Sequence, residues 1–249
     1  MEFLYGRNSV LEALGASRRI HKVLVATGTH GLEPLVNLAR SRHVAVELVD
    51  RQRLHQLAGS SHHHQGVVAQ AEAFQYTHLD DLLTSRAEPP FLLALDSLQD
   101  PQNFGTLLRT ALAVGVQGVI LPVHRAVSVT PAVSNASAGA VEHLRVARVT
   151  NLARALGQLK ERGVWVFGLA VEADQPYWQA DLSGPLALVV GSEGSGLSRL
   201  VREACDVLVQ IPMAAGSIAS LNASVAGSLA LYEAFRQRTT PRGKLSRPT

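Results

Sequence analysis

The spacing of hydrophobic positions changes near residue 90. Beyond it, compact apolar runs stand at 91–95, 118–121, 164–169, 186–190 and 207–211. Runs this short and unbroken suit parallel strands covered on both faces. Between them, apolar residues recur at helical spacing over 103–114 and 151–162. Alternating strands and helices predict an α/β sheet domain. No fixed-period repeat is present.

The first 75 residues read as a smaller α/β unit. HKVLVA at 21–26 predicts a strand and 32–41 a helix, while 44–49 alternates as a second strand and GVVAQA at 66–71 gives a third. Asn8 is placed to cap a short helix that runs through Leu14. The stretch 76–90 ends in Ala87-Glu88-Pro89-Pro90, and paired prolines continue neither a helix nor a central strand. The expected organisation is therefore a domain over 1–75, a linker over 76–90 and a larger domain over 91–238. A basic tail, 239–249, follows; Arg236 and Arg238 lead into Arg242, Lys244 and Arg247, and the whole run reads as a solvated segment.

Composition narrows the function classes. Hydrophobic residues make up 47% of the 249 positions and charged residues 17%, which excludes general disorder. The net charge of +3 and pI near 9.3 tilt weakly toward an anionic partner. Cys205 is the only cysteine, so no internal disulfide forms, and no CxxC spacing offers a zinc site. His62, His63 and His64 are adjacent on one loop, a spacing that does not converge on one ion; no metal is expected. Residues 1–10 carry Glu2, Arg7 and Asn8 and lack an apolar signal core, and no run approaches the ~20 apolar residues of a membrane span. A cytoplasmic protein with no membrane partner is expected. The Asn-Ala-Ser triplets at Asn135 and Asn222 would then meet no glycosylation enzyme.

Three segments carry the chemistry. In LDSLQDPQNFGTLLR, 95–109, a strand ends in a turn, Asn103 is placed to cap the next helix, and Phe104, Leu107, Leu108, Ala111 and Leu112 form its apolar stripe. Arg109 lies on the other side, as an ordinary solvated residue or as a ligand group at the carboxyl end of a strand, where open α/β sheets bind ligands. In LALVVGSEGSGLS, 186–198, a buried strand enters a loop with Gly191, Gly194 and Gly196 around Glu193. GSEGSG is neither a P-loop nor GxGxxG; it is a tight turn or a close backbone approach to a ligand, and the helix it opens offers N–H groups to an anion. In VQIPMAAGSIASLNASVAGSLALY, 209–232, a strand leads through small residues to Ser220-Leu221-Asn222 and a helix with a small-residue face, suited to close packing or to a second copy of the chain.

Together, DxLQDPxNxGxxxRTA, LVxGxEGxGLS and IPM…SLNxSVA closely resemble, in order, the motifs of the SpoU/TrmH family of RNA 2′-O-methyltransferases, and cover most of 91–238. Tyr5-Gly6-Arg7-Asn8 and His64-Gln65-Gly66-Val67-Val68-Ala69 resemble the extra N-terminal domain of the branch that methylates guanosine in bacterial 23S ribosomal RNA. The resemblance implies a SPOUT-like parallel-sheet methyltransferase domain with a deep trefoil knot, a small N-terminal α/β RNA-binding domain, a homodimer, S-adenosylmethionine as cofactor, and RNA rather than DNA as partner, 23S ribosomal RNA or its precursor first. It makes Asn103, Arg109, Glu193, Ser220 and Asn222 the active-site residues. Gly191, Ile211, Leu221 and Asn222 fall where the cofactor is held, with Met213 beside it. One departure stands out: Ala214 and Ala215 both separate Met213 from Gly216, where the family has one residue. Competing expectations are a transfer RNA 2′-O-methyltransferase, a non-catalytic RNA-binding protein with the same fold, and a small-molecule methyltransferase.

Overall fold

The computed structural model describes residues 1–59, 64–84, 89–124, 126–214 and 220–240. Its chain forms two compact units. The first comprises Met1–Tyr76 with Asp100–Arg109 and Val127–Leu144; the second comprises Thr77–Gln99, Thr110–Ala126 and Arg145–Thr249.

The first unit is built on β1 (Glu2–Tyr5), α1 (Arg7–Gly15), β2 (Ile20–Ala26), α2 (Glu33–Ser41), β3 (Ala45–Val49), α3 (Arg51–Ala58) and β4 (Val67–Ala71). Its sheet has the order β1-β4-β2-β3; β4 runs antiparallel to both neighbours and β2–β3 is parallel. Leu4, Val10, Leu14, Val23, Leu35 and Val67 form one core. Two expectations change. The first helix is capped by Gly6 at φ 90°, and Asn8 lies inside its first turn. β1 and α3 are elements that the hydrophobic pattern did not reveal: β1 is four residues long, and α3 buries only Leu54.

The second unit contains β5 (Phe91–Leu95), the end of α4 (Pro101–Ala113), β6 (Gly118–Pro122), β7 (Val146–Val149), α6 (Leu152–Lys160), β8 (Trp165–Leu169), β9 (Gln175–Pro176), β10 (Leu186–Val190), α7 (Arg199–Ala204), β11 (Val207–Gln210) and α8 (Ala223–Thr239). α5 (Pro131–Ala136) belongs to the first unit. The seven strands run β7-β6-β5-β10-β8-β11-β9, every pair parallel. β5 and β10 are buried at every position, which accounts for their unbroken apolar sequences. Leu92, Ala94, Ile120, Leu156, Val166, Val189 and Val201 share one core. Chain order departs from strand order at β10, which lies centrally between β5 and β8.

Residues 77–83 are packed. Thr77 bridges Ala147, a 3-10 turn spans Leu79–Leu83, and Leu82 is fully buried in the second core. Residues 85–88 of the expected linker lie outside the described residues. At the other end, α8 continues to Thr239, so Arg236 and Arg238 are not part of a solvated tail. Arg236 pairs with Glu233, and Arg238 donates to the Gly184 and Pro89 carbonyls at 2.6 Å each. Residues 241–249 lie outside the described residues.

Candidate active site

The carboxyl ends of β8, β10 and β11 open into a cavity of about 330 Å³ in the second unit. Ligand pockets typically measure about 300–1,000 Å³. Leu169, Val190, Val209, Ile211, Met213 and Ala226 give it apolar walls, and Glu193, Ser220 and Asn222 supply polar groups. No lysine or arginine is among the lining residues.

The glycine loop after β10 folds back on itself. Ser192 and Gly196 exchange backbone hydrogen bonds at 3.1 and 3.0 Å, and the Ser192 and Ser195 hydroxyls meet at 2.6 Å. Gly191 is required by close approach: a Cβ there would sit 2.3 Å from the Gly196 carbonyl carbon and 2.6 Å from the Leu197 nitrogen. Gly191 also lines the cavity, so its backbone is placed for a ligand held through main-chain groups.

Asn222 joins this loop to the third motif. As N-cap of α8, its Oδ1 accepts from the backbone N–H groups of Ser224 (2.9 Å) and Val225 (3.3 Å) and from the Ser224 hydroxyl (2.6 Å). Its Nδ2 donates to the Glu193 carboxylate. One amide therefore caps a helix with its oxygen and fixes a loop 29 residues away with its nitrogen.

Two aspartates fill roles that sequence reasoning missed. Asp96, at the end of β5, is buried, and its Oδ2 accepts from the Ser198 N–H at 2.6 Å. The helix N-terminus expected to attract an anion thus receives the protein's own carboxylate. Asp100 accepts from the Gln102 and Asn103 N–H groups at 3.2 and 3.1 Å, so α4 begins two residues before Asn103 and Asp100 takes the capping role expected of Asn103. Both are the aspartates of the first motif; acidic residues just after a strand and just before a helix were the available signal.

The expected site residues fall into two groups. Gly191, Glu193, Ile211, Met213, Ser220, Leu221 and Asn222 all line the one cavity. Asn103 and Arg109 are not among its lining residues; they lie on the part of α4 that groups with the first unit. Asn103 is buried. Arg109 is exposed, and its side chain makes no hydrogen bond or ion pair among the described residues. Leu112, expected in the buried stripe, is 37% exposed. Residues 215–219, which include the extra position of the third motif, lie outside the described residues, as do His62 and His63. His64 is buried, and its Nδ1 accepts from the Gly66 N–H at 3.0 Å.

Comparison with known proteins places these features in a family. Residues 90–232 match the SpoU rRNA Methylase family, and residues 3–77 match the substrate-binding domain of RNA 2′-O ribose methyltransferases. A Bacillus subtilis protein assigned to the TrmH family of tRNA/rRNA methyltransferases, YacO, is 46% identical over 242 residues, covering 95% of this chain and 96% of its own. The 23S rRNA (guanosine-2′-O-)-methyltransferase RlmB of Ralstonia nicotianae is 47% identical over 209 residues, covering 84% of this chain and 83% of its own. Among solved structures, the SpoU methyltransferase AviRb of Streptomyces viridochromogenes in complex with AdoMet superposes with a TM-score of 0.80 at 26% identity, covering 95% of this chain and 90% of that one. A trefoil knot is typical of such proteins. With a parallel α/β domain, a smaller N-terminal α/β domain and both family models matched in order, the chain belongs to the SpoU rRNA methylase family.

Proposed function

We propose that the protein transfers the methyl group of S-adenosylmethionine to a ribose 2′-hydroxyl of RNA, at a guanosine of 23S ribosomal RNA or its precursor. The observation that carries this reading is the meeting of the second and third family motifs at one cavity on the carboxyl side of the parallel sheet. The cavity suits the cofactor: apolar walls for an adenine ring, the Gly191 backbone in its lining, and a carboxylate for a positively charged molecule. Gly191, Ile211 and Leu221 hold it through backbone groups, with Met213 and Asn222 alongside. When bound, it supplies a methyl group on a sulfonium that leaves as a neutral thioether.

The protein's own task is to align the ribose oxygen and stabilise charge on it. Alignment alone contributes on the order of 7–11 kcal/mol in favourable intramolecular systems. Arg109 acts at the 2′-hydroxyl. Arginine does not give up its proton in proteins, so it grips the neighbouring RNA phosphate and stabilises the developing oxyanion, while phosphate or water takes the proton. Its exposed guanidinium, unpaired among the described residues, is available for that role. Asn103 orients Arg109 or the ribose; Glu193, Ser220 and Asn222 shape the site. Residues 1–75 hold the RNA, and 91–238 form the catalytic domain.

The active species is a homodimer in the cytoplasm. On α8, Val225, Leu229 and Tyr232 follow helical spacing and are 46%, 41% and 54% exposed, an apolar face that suits a second copy. No described helix is long and apolar enough to cross a membrane.

The test incubates the protein with methyl-labelled S-adenosylmethionine and unmodified 23S ribosomal RNA, followed by alkaline hydrolysis. An alkali-resistant labelled dinucleotide is expected, and Arg109→Ala should lower kcat by about 100-fold or more while cofactor binding stays intact. Arg109→Lys should stay impaired because it loses the planar fork. Label in transfer RNA instead would favour the second reading, which the tRNA/rRNA assignment of the Bacillus relative keeps open.

A further inference from the structure

The first unit carries a second cleft, of about 610 Å³, lined by Arg7, Gly28, Thr29, His30, Arg51 and Gln65. It lies where β2 and β3 end and β4 begins. The Thr27 N–H donates to the Val49 carbonyl and the Ala26 N–H to the Gly66 carbonyl, both at 2.9 Å, so three chain segments close its base. Gly66, at φ 84°, approaches so closely that a Cβ would meet the Thr29 side chain at 2.5 Å. Arg7 locks the same segments together: its Nη2 donates to the His30 carbonyl at 2.8 Å, and its backbone N–H donates to Gln65 Oε1 at 3.0 Å.

The charge of this cleft is what calls for a ligand. Two guanidinium groups and an imidazole line it, with no carboxylate among the lining residues. Arg7 is bonded to carbonyl oxygens, which orient its charge without cancelling it. Neither Arg7 nor Arg51 forms an ion pair among the described residues. Arg51 is exposed at the first position of α3, where helical N–H groups also favour negative charge. The neighbouring Asp50 is occupied as the helix cap, accepting from the Arg53 N–H at 2.6 Å. Gly28, His30, Arg51 and Gln65 are all exposed, so the cleft is open along its rim and suits a polymer backbone passing through it.

We propose that this cleft binds a backbone phosphate of the RNA substrate, with Arg51 and His30 as the contacting side chains and Arg7 as the fixed floor. The proposal rests on the RNA methyltransferase reading and assigns that substrate a docking point. A single-phosphate contact contributes affinity without sequence information and positions the strand.

The test uses full-length protein and a 23S ribosomal RNA transcript, with binding measured across a salt series. Arg51→Ala should weaken binding roughly three- to tenfold and reduce the slope of log K against log salt by about one. Arg51→Glu should weaken it further. Arg40→Ala, an exposed cation of the same unit outside the cleft, is the control for bulk charge. In turnover, the Arg51 variants should raise KM for RNA and leave kcat and cofactor affinity unchanged. Equal losses in Arg51→Ala and Arg40→Ala, or wild-type binding by Arg51→Glu, overturn the cleft. If the unaltered protein methylates RNA while Arg51→Glu binds normally, the cleft fails and the catalytic reading stands. Binding with the expected Arg51 dependence but no methyl transfer upholds the cleft and removes the catalytic reading, and no RNA binding at all removes both.

Discussion

The two cavities differ in every property that selects a ligand. The one in the parallel-sheet unit has apolar walls, a single carboxylate and no cation; the one in the smaller unit has three basic side chains and no carboxylate. The first is held by side chains that satisfy one another across the loops, as Asn222 does with Glu193 and Asp96 with Ser198. The second is held by an arginine whose partners are carbonyl oxygens, which leaves its charge uncompensated. Both stand where β-strands end, so position on the sheet does not distinguish them. The sign of the charged groups does: a lone carboxylate among apolar walls suits a compact cationic cofactor, and two guanidinium groups with an imidazole suit a polyanion.

The sharpest way to break this comparison is to displace the loop that walls the first cavity and ask whether the second notices. Gly191→Ala would drive a Cβ into the Gly196 backbone at 2.3 to 2.4 Å, and the loop must move to relieve it. Overpacking of this kind costs about 1–3 kcal/mol. Cofactor affinity by calorimetry should fall by two orders of magnitude or more, while RNA affinity at fixed salt stays near the wild-type value. A parallel loss of RNA binding would show that the two sites are not separate functions. A finer cut divides the roles of Asn222. Asn222→Ala removes the helix cap, worth about 1 kcal/mol, together with the tie to Glu193. Asn222→Asp keeps a good cap but sets a second carboxylate against Glu193. The aspartate variant should therefore melt near the wild-type temperature yet lose about tenfold in cofactor affinity; normal affinity would mean that the tie to Glu193 is structural only.

The sequence read most accurately where one interaction dominates. β5 and β10 coincide with their apolar runs because burial on both faces leaves no other composition open. The seven cavity residues came from motif resemblance, and their meeting at one place is a property of the fold. Elements set by distant contacts were illegible. α5 joins the first unit through Asn135 Nδ2 donating to the Tyr5 carbonyl at 3.1 Å and through the Ser9 and Ser134 hydroxyls at 2.6 Å, partners more than a hundred residues apart. β7 is a short run, VARV, whose Arg148 is exposed. Asp96 meets Ser198 across 102 positions, and no periodicity records such a pairing. Hydrophobic spacing reports what a residue buries locally; it is silent on which remote group completes a hydrogen bond.

The smallest expected effect separates the two units by acid. In the first unit, burial pushes the Glu142 carboxyl above its ordinary value of 4.5, while Arg18 and the Ser134 hydroxyl pull the other way without winning. In the second, hydrogen bonding from Arg236 holds Glu233 below the same value, against a smaller cost of burial. A carboxyl raised in the folded state binds its proton more tightly there, so its contribution is fullest below pH 4.5 and is lost as pH rises through the raised value. A lowered carboxyl contributes above pH 4.5 and loses that contribution as pH falls through the depressed value. Hydrogen exchange resolved to β4 and α8, followed from pH 7 downward, reads the two units separately. Wild type should gain on Glu142→Gln in β4 as the pH falls toward 4.5, because Gln cannot take up the proton that the buried Glu142 prefers. Wild type should lose its advantage over Glu233→Gln in α8 only below pH 4.5, where the ion pair with Arg236 is neutralised. Equal pH slopes in β4 for wild type and Glu142→Gln would mean that Arg18 compensates the buried carboxylate fully. The contrast between the units would then rest on their cavities alone.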